Sequence, residues 1–581
     1  MLNWAKQILK LKFNLSSNHF RNYSKDKSFN KISASYWHKP GGFTFSNATL
    51  GDVVDAAADK YGDDVAISVP FQKINKTFTQ FKQEVDQLAA SFIGLGLQKN
   101  DRIAIWSPNN YEWLLTQFAA SKAGLILVCL NPSYRAAELQ FSLNKVQCKA
   151  IITAERFKVL NFYNILSEVV PEISSSKPGQ LCSQKVRSLQ YVITLADKAL
   201  PGTYSFKEIF KNDGSENTKL LHERERTIQF DNATAIMFTS GTTGNPKAAA
   251  LSHFQLVNEA ISAGRKIGFV NEKPTICLQV PLFHIFAYAL GPLVTINFGG
   301  KCVIPSEFFH SPSSLECIQN EKCTVVYGVP TMFFDMLKHI SESNYDLKSW
   351  KQAVLGAAPI PDFLVQELKN KLGVNIANGY GITETSSGIC LALYPAEKHS
   401  GKPIEHVEVK IVDNNGNIVP FNTKGEILCR TPYAFLGYWE DKEKTDEVLD
   451  CCRWYHTGDV GSMDEEGNVC VTGRIKELII RGGENIYPQE IENLLLTHPA
   501  VFEVYVVGVP DVRMGEEICA CIQLKPNQKI TENDVKEYCK DKISHFKIPK
   551  HIVFLEGFPK TESGKIQKFK LQEQCTKLLK L

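Results

Sequence analysis

The nine residues Thr239-Ser240-Gly241-Thr242-Thr243-Gly244-Asn245-Pro246-Lys247 gather hydroxyls, two glycines and one lysine into a single short stretch. The β-branched run Ala235-Ile-Met-Phe-Thr239 leads into it, and a helical pattern begins at Ser252. Glycines let a backbone turn tightly and expose its N–H groups. Oriented N–H and O–H donors beside one ammonium suit a cluster of anionic oxygens, so the stretch has the chemistry of a phosphate cradle. It is not a Walker A loop, which needs four residues between its glycines and ends in Gly-Lys-Ser/Thr.

Other reactive residue types recur in short Gly-marked strings. Tyr380 lies between Gly379 and Gly381, and Thr383 and Glu384 follow it. Flanking glycines leave a ring face open to a planar ligand. Asp459 follows Thr457-Gly458, Arg474 follows Gly473, and Lys565 ends Ser563-Gly564-Lys565. His284 follows the turn Pro281-Leu282-Phe283.

Elements must hold these strings in place. From about residue 50, runs such as RIAIW, LILVCL, KAIIT, QYVIT, TICLQV, CTVVYGV and QAVLG alternate with helical patterns. YEWLLTQFAASKAG, ERFKVLNFYNILSEVV and PDFLVQELKNKLG are the clearest of these. Such alternation predicts an α/β fold, with mainly parallel sheets covered by helices. After about 400, EHVEVKIVDNNGNIV and GEILCR alternate with period two around an Asn-Gly turn, which predicts a small antiparallel β-rich subdomain. From 474 a smaller α+β pattern follows, with no low-complexity linker before it. The expected organisation is a leader over 1–35, a large domain over 36–473, and a small mobile domain over 474–581 that carries Lys565. The boundary near 474 then has to be a tight hinge.

A chain of 581 residues is too long for one core. With 44% hydrophobic and 22% charged residues and a net charge of +3, it has a globular composition and no basic run that would make nucleic acid its partner. The 16 cysteines show no CxxC pair, which argues against a zinc site or a disulfide framework and for free thiols in a reducing compartment. Residues 275–300 lack Lys, Arg, Asp and Glu, yet Pro281, His284, Gly291, Pro292 and Asn297 break the run. It reads as strand, turn and buried helix, not as a membrane span. The first 25 residues carry Lys6, Lys10, Lys12, Arg21 and Lys25 and no acid. Trp4, Ile8, Leu11 and Leu15 share one helical face, the pattern of a mitochondrial transit peptide. The end Leu579-Lys580-Leu581 departs from a Ser-Lys-Leu peroxisomal address by a bulky leucine, so the mitochondrial matrix is expected.

The string TSGTTGNPK resembles the signature loop of the adenylate-forming superfamily: acyl-CoA synthetases, luciferases and the adenylation domains of peptide synthetases. Further strings similar to family motifs follow in family order: PLFHIFA (281–287), YGVPTMF (327–333), LGAAP (355–359), GYGITET (379–385), WYHTGDVG (454–461), GRIKELIIRGGENIYPQEIE (473–492) and TESGKIQK (561–568). The runs RMGEEICACIQLK, KISHFKIPKHIVF and SGKIQKFKLQEQ look like the mitochondrial medium-chain acyl-CoA synthetases grouped as acyl-CoA synthetase family member 2.

The resemblance implies a ligase that activates a fatty acid with ATP as an acyl-adenylate and then transfers the acyl group to coenzyme A. It makes Tyr380 the adenine stacking partner, with Gly356, Ala357 and Ala358 on the other side. It gives phosphate to Thr383 and the 239–247 loop, Mg²⁺ to Glu384, and the ribose to Asp459 with Arg474 beside it. Lys565 becomes the lysine of adenylation and Lys476 the hinge. Gly483, with Asn485 next to it, borders the coenzyme A arm, and His284 stands between acyl pocket and thiol. The expected partners are these small molecules alone. A short-chain or aryl acid as substrate, oxidation of the adenylate, and a catalytically silent binding protein remain alternatives. Two residues depart from the family pattern: Ala248 replaces the usual Gly after the loop lysine, and Glu477 the usual Asp. A methyl group at 248 would narrow the approach to the loop if it pointed there.

Overall fold

The computed structural model describes residues 34–210, 214–239, 246–358, 360–395, 399–481, 484–540, 542–543, 545–561 and 565–581. Residues 1–33 of the leader, Ser240 to Asn245, and Gly483 therefore lie outside the described residues.

The β-branched runs form two large sheets. In one, Tyr204–Ser205, Tyr191–Thr194, Ala150–Thr153, Arg102–Trp106, Ile126–Cys129 and Ala233–Thr239 lie side by side in parallel. Lys247–Ser252 then turns back antiparallel to Ala233–Thr239, with Thr239 and Lys247 directly opposite. This strand was not expected between the loop and its helix. It explains the three alanines: Ala248, Ala249 and Ala250 are strand residues exposed by 4% or less. Ala248 packs in a core with Trp106, Ile126 and Ile236, so its methyl does not narrow the loop. The helix His253–Ile267 follows, started by a reciprocal cap between Ser252 and Gln255 and ended at Gly268, where φ is 104°.

The second large sheet runs parallel through Asn375–Tyr380, Gln352–Gly356, Val325–Gly328, Thr275–Leu278, Lys301–Val303 and Val65–Val69. Cys390–Tyr394 caps one side antiparallel. Between the sheets lies the largest core, built on Phe81, Trp113, Phe118, Leu256, Tyr288 and Tyr327. The uncharged stretch from 275 becomes the strand Thr275–Leu278 and the helical segments Ile285–Tyr288, Ala289–Leu293 and Val294–Phe298. Among the described residues no helix is long and apolar enough to cross a membrane.

A third, antiparallel sheet orders Tyr36–His38, Glu408–Val412, Gly425–Arg430, Tyr455–Met463 and Val469–Arg474. The C-terminal residues form a separate sheet from Glu484–Ile486, Ile479–Arg481, Gly515–Leu524 and Val501–Asp511, with His551–Phe554 parallel to Gly515–Leu524. One face packs on the helices Pro488–Leu496 and Glu532–Cys539, the other on Lys568–Leu579. One expected element is corrected. ERFKVLNFYNILSEVV is not a single helix: Arg156–Phe157 and Leu160–Asn161 pair as a tight hairpin, and the helix starts only at Phe162, capped by Asn161.

Ala248→Gly restores the family's commoner residue and tests this placement. We expect a loss of about 1 kcal/mol in thermal unfolding, the usual cost of glycine in a strand interior. Nucleotide affinity measured by calorimetry should stay within twofold of the parent. A large gain in affinity would show that the methyl faces the ligand.

Candidate active site

Three sheets and the C-terminal loop deliver their reactive side chains to one cleft. Thr239 and Lys247 close the neck of the 240–246 hairpin on the first sheet. Gly356 and Gly379 are opposite each other at the C-terminal ends of two strands of the second, and Tyr380 follows. That is where ligands bind in open parallel sheets. Ala357, in the left-handed region at φ 65°, turns the chain away from its strand and leaves Ala357 and Ala358 exposed. At Gly381 a side chain is excluded, since a Cβ there would fall 1.6 Å from the Ser387 carbonyl oxygen.

Glu384 lies in the one-turn segment Thr383–Thr385 and is buried. The Tyr438 hydroxyl donates to its Oε1 at 2.7 Å and the Thr239 hydroxyl to the same oxygen at 3.3 Å. Oε2 takes neither bond. Burial and then the Glu384 charge push the Tyr438 phenol up, so it stays a donor. The Lys247 ammonium stands 4.8 Å from the centre of the Tyr438 ring, a cation–π contact. Tyr438 was missed in the sequence. Its only signal is a place in the strand Gly437–Tyr438 beside the alanine strand, and spacing does not show that.

Asp459 and Arg474 face each other across the third sheet. The Arg474 Nε donates to Asp459 Oδ1 at 2.9 Å and the Tyr380 hydroxyl to Oδ2 at 2.7 Å. Asp459 is 5% exposed on its side chain and Arg474 54%, so the carboxylate is fixed while the guanidinium reaches outward. Burial and then Asp459 raise the Tyr380 phenol well above its usual value.

Lys565 is presented by a tight turn. The Thr561 N–H donates to the Lys565 carbonyl at 2.7 Å, and the Lys565 N–H donates to the Thr561 hydroxyl at 3.1 Å. Its side chain enters the cleft, open to solvent yet surrounded by protein. Partial desolvation by the surrounding protein lowers its pKa; Arg474 lowers it further, and Asp459 and Glu384 oppose this. His284 feels the same ammonium: burial first and Lys565 second lower its pKa to about 3, so the imidazole is neutral at pH 7. Two residues further on, Phe286 stacks on Tyr327 at 5.5 Å.

Lys476 sits in the turn Ile475–Glu477. Partial desolvation and the neighbouring Lys247 lower its pKa, so this residue too joins the cationic group. Glu477 pairs with Lys568 at 3.2 Å, a reach that the longer glutamate side chain supplies. The structure thus brings Thr239, Lys247, Glu384, Asp459, Arg474, Lys476, Lys565 and His284 to one cleft. Asn485 lies in a strand paired with Ile479–Arg481, with Asn485 opposite Ile480.

The family model for AMP-binding enzyme matches residues 54–439, and that for AMP-binding enzyme C-terminal domain matches 490–565. The chain belongs to the AMP-binding enzyme family. It is 40% identical over 559 residues to the Danio rerio protein named medium-chain acyl-CoA ligase ACSF2, mitochondrial, covering 95% of this chain and 92% of that one. The Bos taurus protein of the same name is 41% identical, covering 93% and 89%. The crystal structure of the anthranilate CoA ligase AuaEII in complex with anthranoyl-AMP superposes with a TM-score of 0.79 at 26% identity, covering 92% of this chain and 98% of that one. The AMP-binding family membership and the mixed α/β architecture agree with the sequence-based expectation.

The charge arrangement predicts how Lys565 titrates. Removing an anion disfavours an ammonium and removing a cation favours it. Asp459→Asn should lower the Lys565 pKa further, and Arg474→Ala should raise it. The rate of amine labelling at Lys565 against pH, read by peptide mass spectrometry, checks both signs. Equal profiles in the three proteins would refute the placement of Lys565 in this cleft.

Proposed function

We propose that this AMP-binding enzyme is an ATP-dependent fatty acid–CoA ligase that acts on medium-chain acids in mitochondria. The observation that carries the reading is the convergence of Lys565 with Glu384, Asp459 and Arg474. The names of relatives about 40% identical over nearly the whole chain support the acyl class, the chain length and the compartment.

The chemistry follows from the residues. A carboxylate is a poor electrophile, and adenylation equips it with a good leaving group. Two anions, the carboxylate and the α-phosphate, have to meet. An ammonium between them offsets the repulsion and the charge that grows in the transition state. Lys565 fills that role, drawn from a separate part of the chain. Tyr380 offers its ring to adenine, and the exposed face beside Gly356, Ala357 and Ala358 receives the other side. Asp459, fixed by Tyr380 and Arg474, accepts from the ribose hydroxyls. Thr383, Lys247 and the 239–247 loop hold phosphate. Glu384 keeps Oε2 outside its two hydrogen bonds, a hard oxygen suited to Mg²⁺, which prefers one or two carboxylates together with phosphate oxygens. That ion would neutralise phosphate charge.

For the second half-reaction the part of the chain after residue 473 turns about Lys476, withdraws Lys565 and opens a channel beside Gly483 and Asn485 for coenzyme A. The thiol displaces AMP from the acyl-adenylate. Neutral His284, close enough to Lys565 to feel its charge, separates the acyl site from the incoming thiol.

Lys565→Ala should reduce acid-dependent ATP–pyrophosphate exchange by at least a hundredfold, while thioester formation from pre-made acyl-adenylate stays within about threefold. Equal loss in both assays would refute the role. Because a lowered lysine pKa loses its proton earlier as pH rises, adenylation should fall in the alkaline range, and Lys565→Arg should move that fall to higher pH. Thioester formation across straight-chain acids should peak at medium length; a peak at aryl or very short acids would replace the substrate assignment.

A further inference from the structure

Three cysteines outside the cleft meet in the C-terminal residues. Cys519 and Cys521 are two apart in the strand Gly515–Leu524 and so share one face, and Cys575 comes from the helix Lys568–Leu579 packed on that face. All three are fully buried, and their sulfurs lie within 4.8 Å of one another. Among the described residues this is the one group of three or more cysteine, histidine or acidic side chains with ligand atoms so close. The Cys521 and Cys575 sulfurs are 3.1 Å apart, only about 1 Å beyond a disulfide bond length.

Three thiols suggest either a soft metal or oxidation. The surroundings decide between them. Val507, Val509 and Leu571 line the group, and the charge felt there is that of Glu532, an anion. Three thiolates around a cation would leave net negative charge among apolar side chains, which is costly. A disulfide is neutral. We propose that Cys521 and Cys575 are an oxidisable pair, closed to a disulfide by a hydroperoxide, that clasps the C-terminal helix to its sheet.

The step balances. The Cys575 sulfur attacks the O–O bond of the hydroperoxide, the bond breaks, and an alcohol or water leaves with a sulfenic acid on Cys575. The Cys521 sulfur then attacks that sulfur. The S–S bond forms, the S–O bond breaks, and hydroxide leaves with the Cys521 proton as water. The thiols of Cys519 and Cys521 donate towards the Cys575 sulfur, 3.1 Å from that of Cys521, which lowers Cys575 and raises Cys521, so Cys575 is the attacking group. Access comes from the helix Lys568–Leu579, which buries only Leu571 and Cys575 and can open locally. The pair lies wholly after residue 473, so the clasp leaves both half-reactions intact.

The test uses the full chain with the exposed Cys182, Cys451 and Cys452 changed to serine. One equivalent of hydrogen peroxide should lower the mass by two hydrogens, cross-link the peptides that hold Cys521 and Cys575, and raise the Tm by roughly 5 °C, all reversed by dithiothreitol. Ligase activity should stay within twofold. Cys521→Ser should stop the reaction at a sulfenic acid on Cys575 that dimedone traps, and Cys519→Ser should still cross-link. The mapping on the chain with all three cysteines decides the matter even if a variant folds poorly. Unchanged free thiols at 521 and 575, a cross-link to Cys519 instead, or a stoichiometric zinc or copper ion in native mass spectrometry would each overturn the proposal.

Discussion

Like charges crowd the cleft, and the rest of the site is arranged around that fact. Lys247, the pair Arg474 and Lys476, and Lys565 come from three different segments, and burial first and another cation of the group second make the ammonium groups of Lys476 and Lys565 more acidic. Glu384 and Asp459 answer them and are already engaged by protein hydroxyls, while Glu447 and Glu477, which also act on Lys476 and Arg474, are paired with Lys444 and Lys568. The protein therefore carries local positive charge that its own anions do not cancel. A chain whose net charge is only +3 concentrates it at one place. A polyanion with several phosphates meets that need, and the fold holds the repulsion in place until one arrives.

The sheets make this affordable by rigidity. Each cation or acid sits at a strand end or in a short turn whose backbone is hydrogen-bonded: Asp459 opposite Arg474, Thr239 opposite Lys247, Gly356 opposite Gly379. The core of Phe81, Trp113, Phe118 and Tyr327 fixes the two large sheets against each other, so the cleft is defined by packing and not by the charges themselves. Closely packed interiors resist deformation, which is what mutually repelling groups require of their support.

Much of this was legible in the sequence because strand runs are hydrophobic and β-branched, and because turns that carry chemistry are marked by glycine. QAVLG and the Gly-Tyr-Gly string announce both a strand end and an exposed ring. What was not legible arose from pairing across long separations. The strand Lys247–Ser252 is three alanines among polar ends, and alanine carries no strand preference; only its neighbours Ala233–Thr239 and Gly437–Tyr438 make it a strand. Tyr438 acquires its place from the same pairing. The Arg156 hairpin was hidden because a helical pattern can be drawn through it. The Cys-x-Cys spacing at 519 and 521 was visible, and its shared strand face could have been read, yet Cys575 lies 54 residues further on and only the packed helix brings it there.

Lys568 sits at the start of the helix that follows Lys565, and its ammonium bridges Glu477 and Glu492 at 3.2 and 2.9 Å. Glu477 is the residue after Lys476. Torsion on the N-terminal side of Glu477 moves this bridge as one piece, so the turn, the helix and the loop of Lys565 travel as a single lever arm. Torsion on its other side has to break the bridge first. In the proposed rotation the ion pair therefore selects which bond of the backbone acts as the axle.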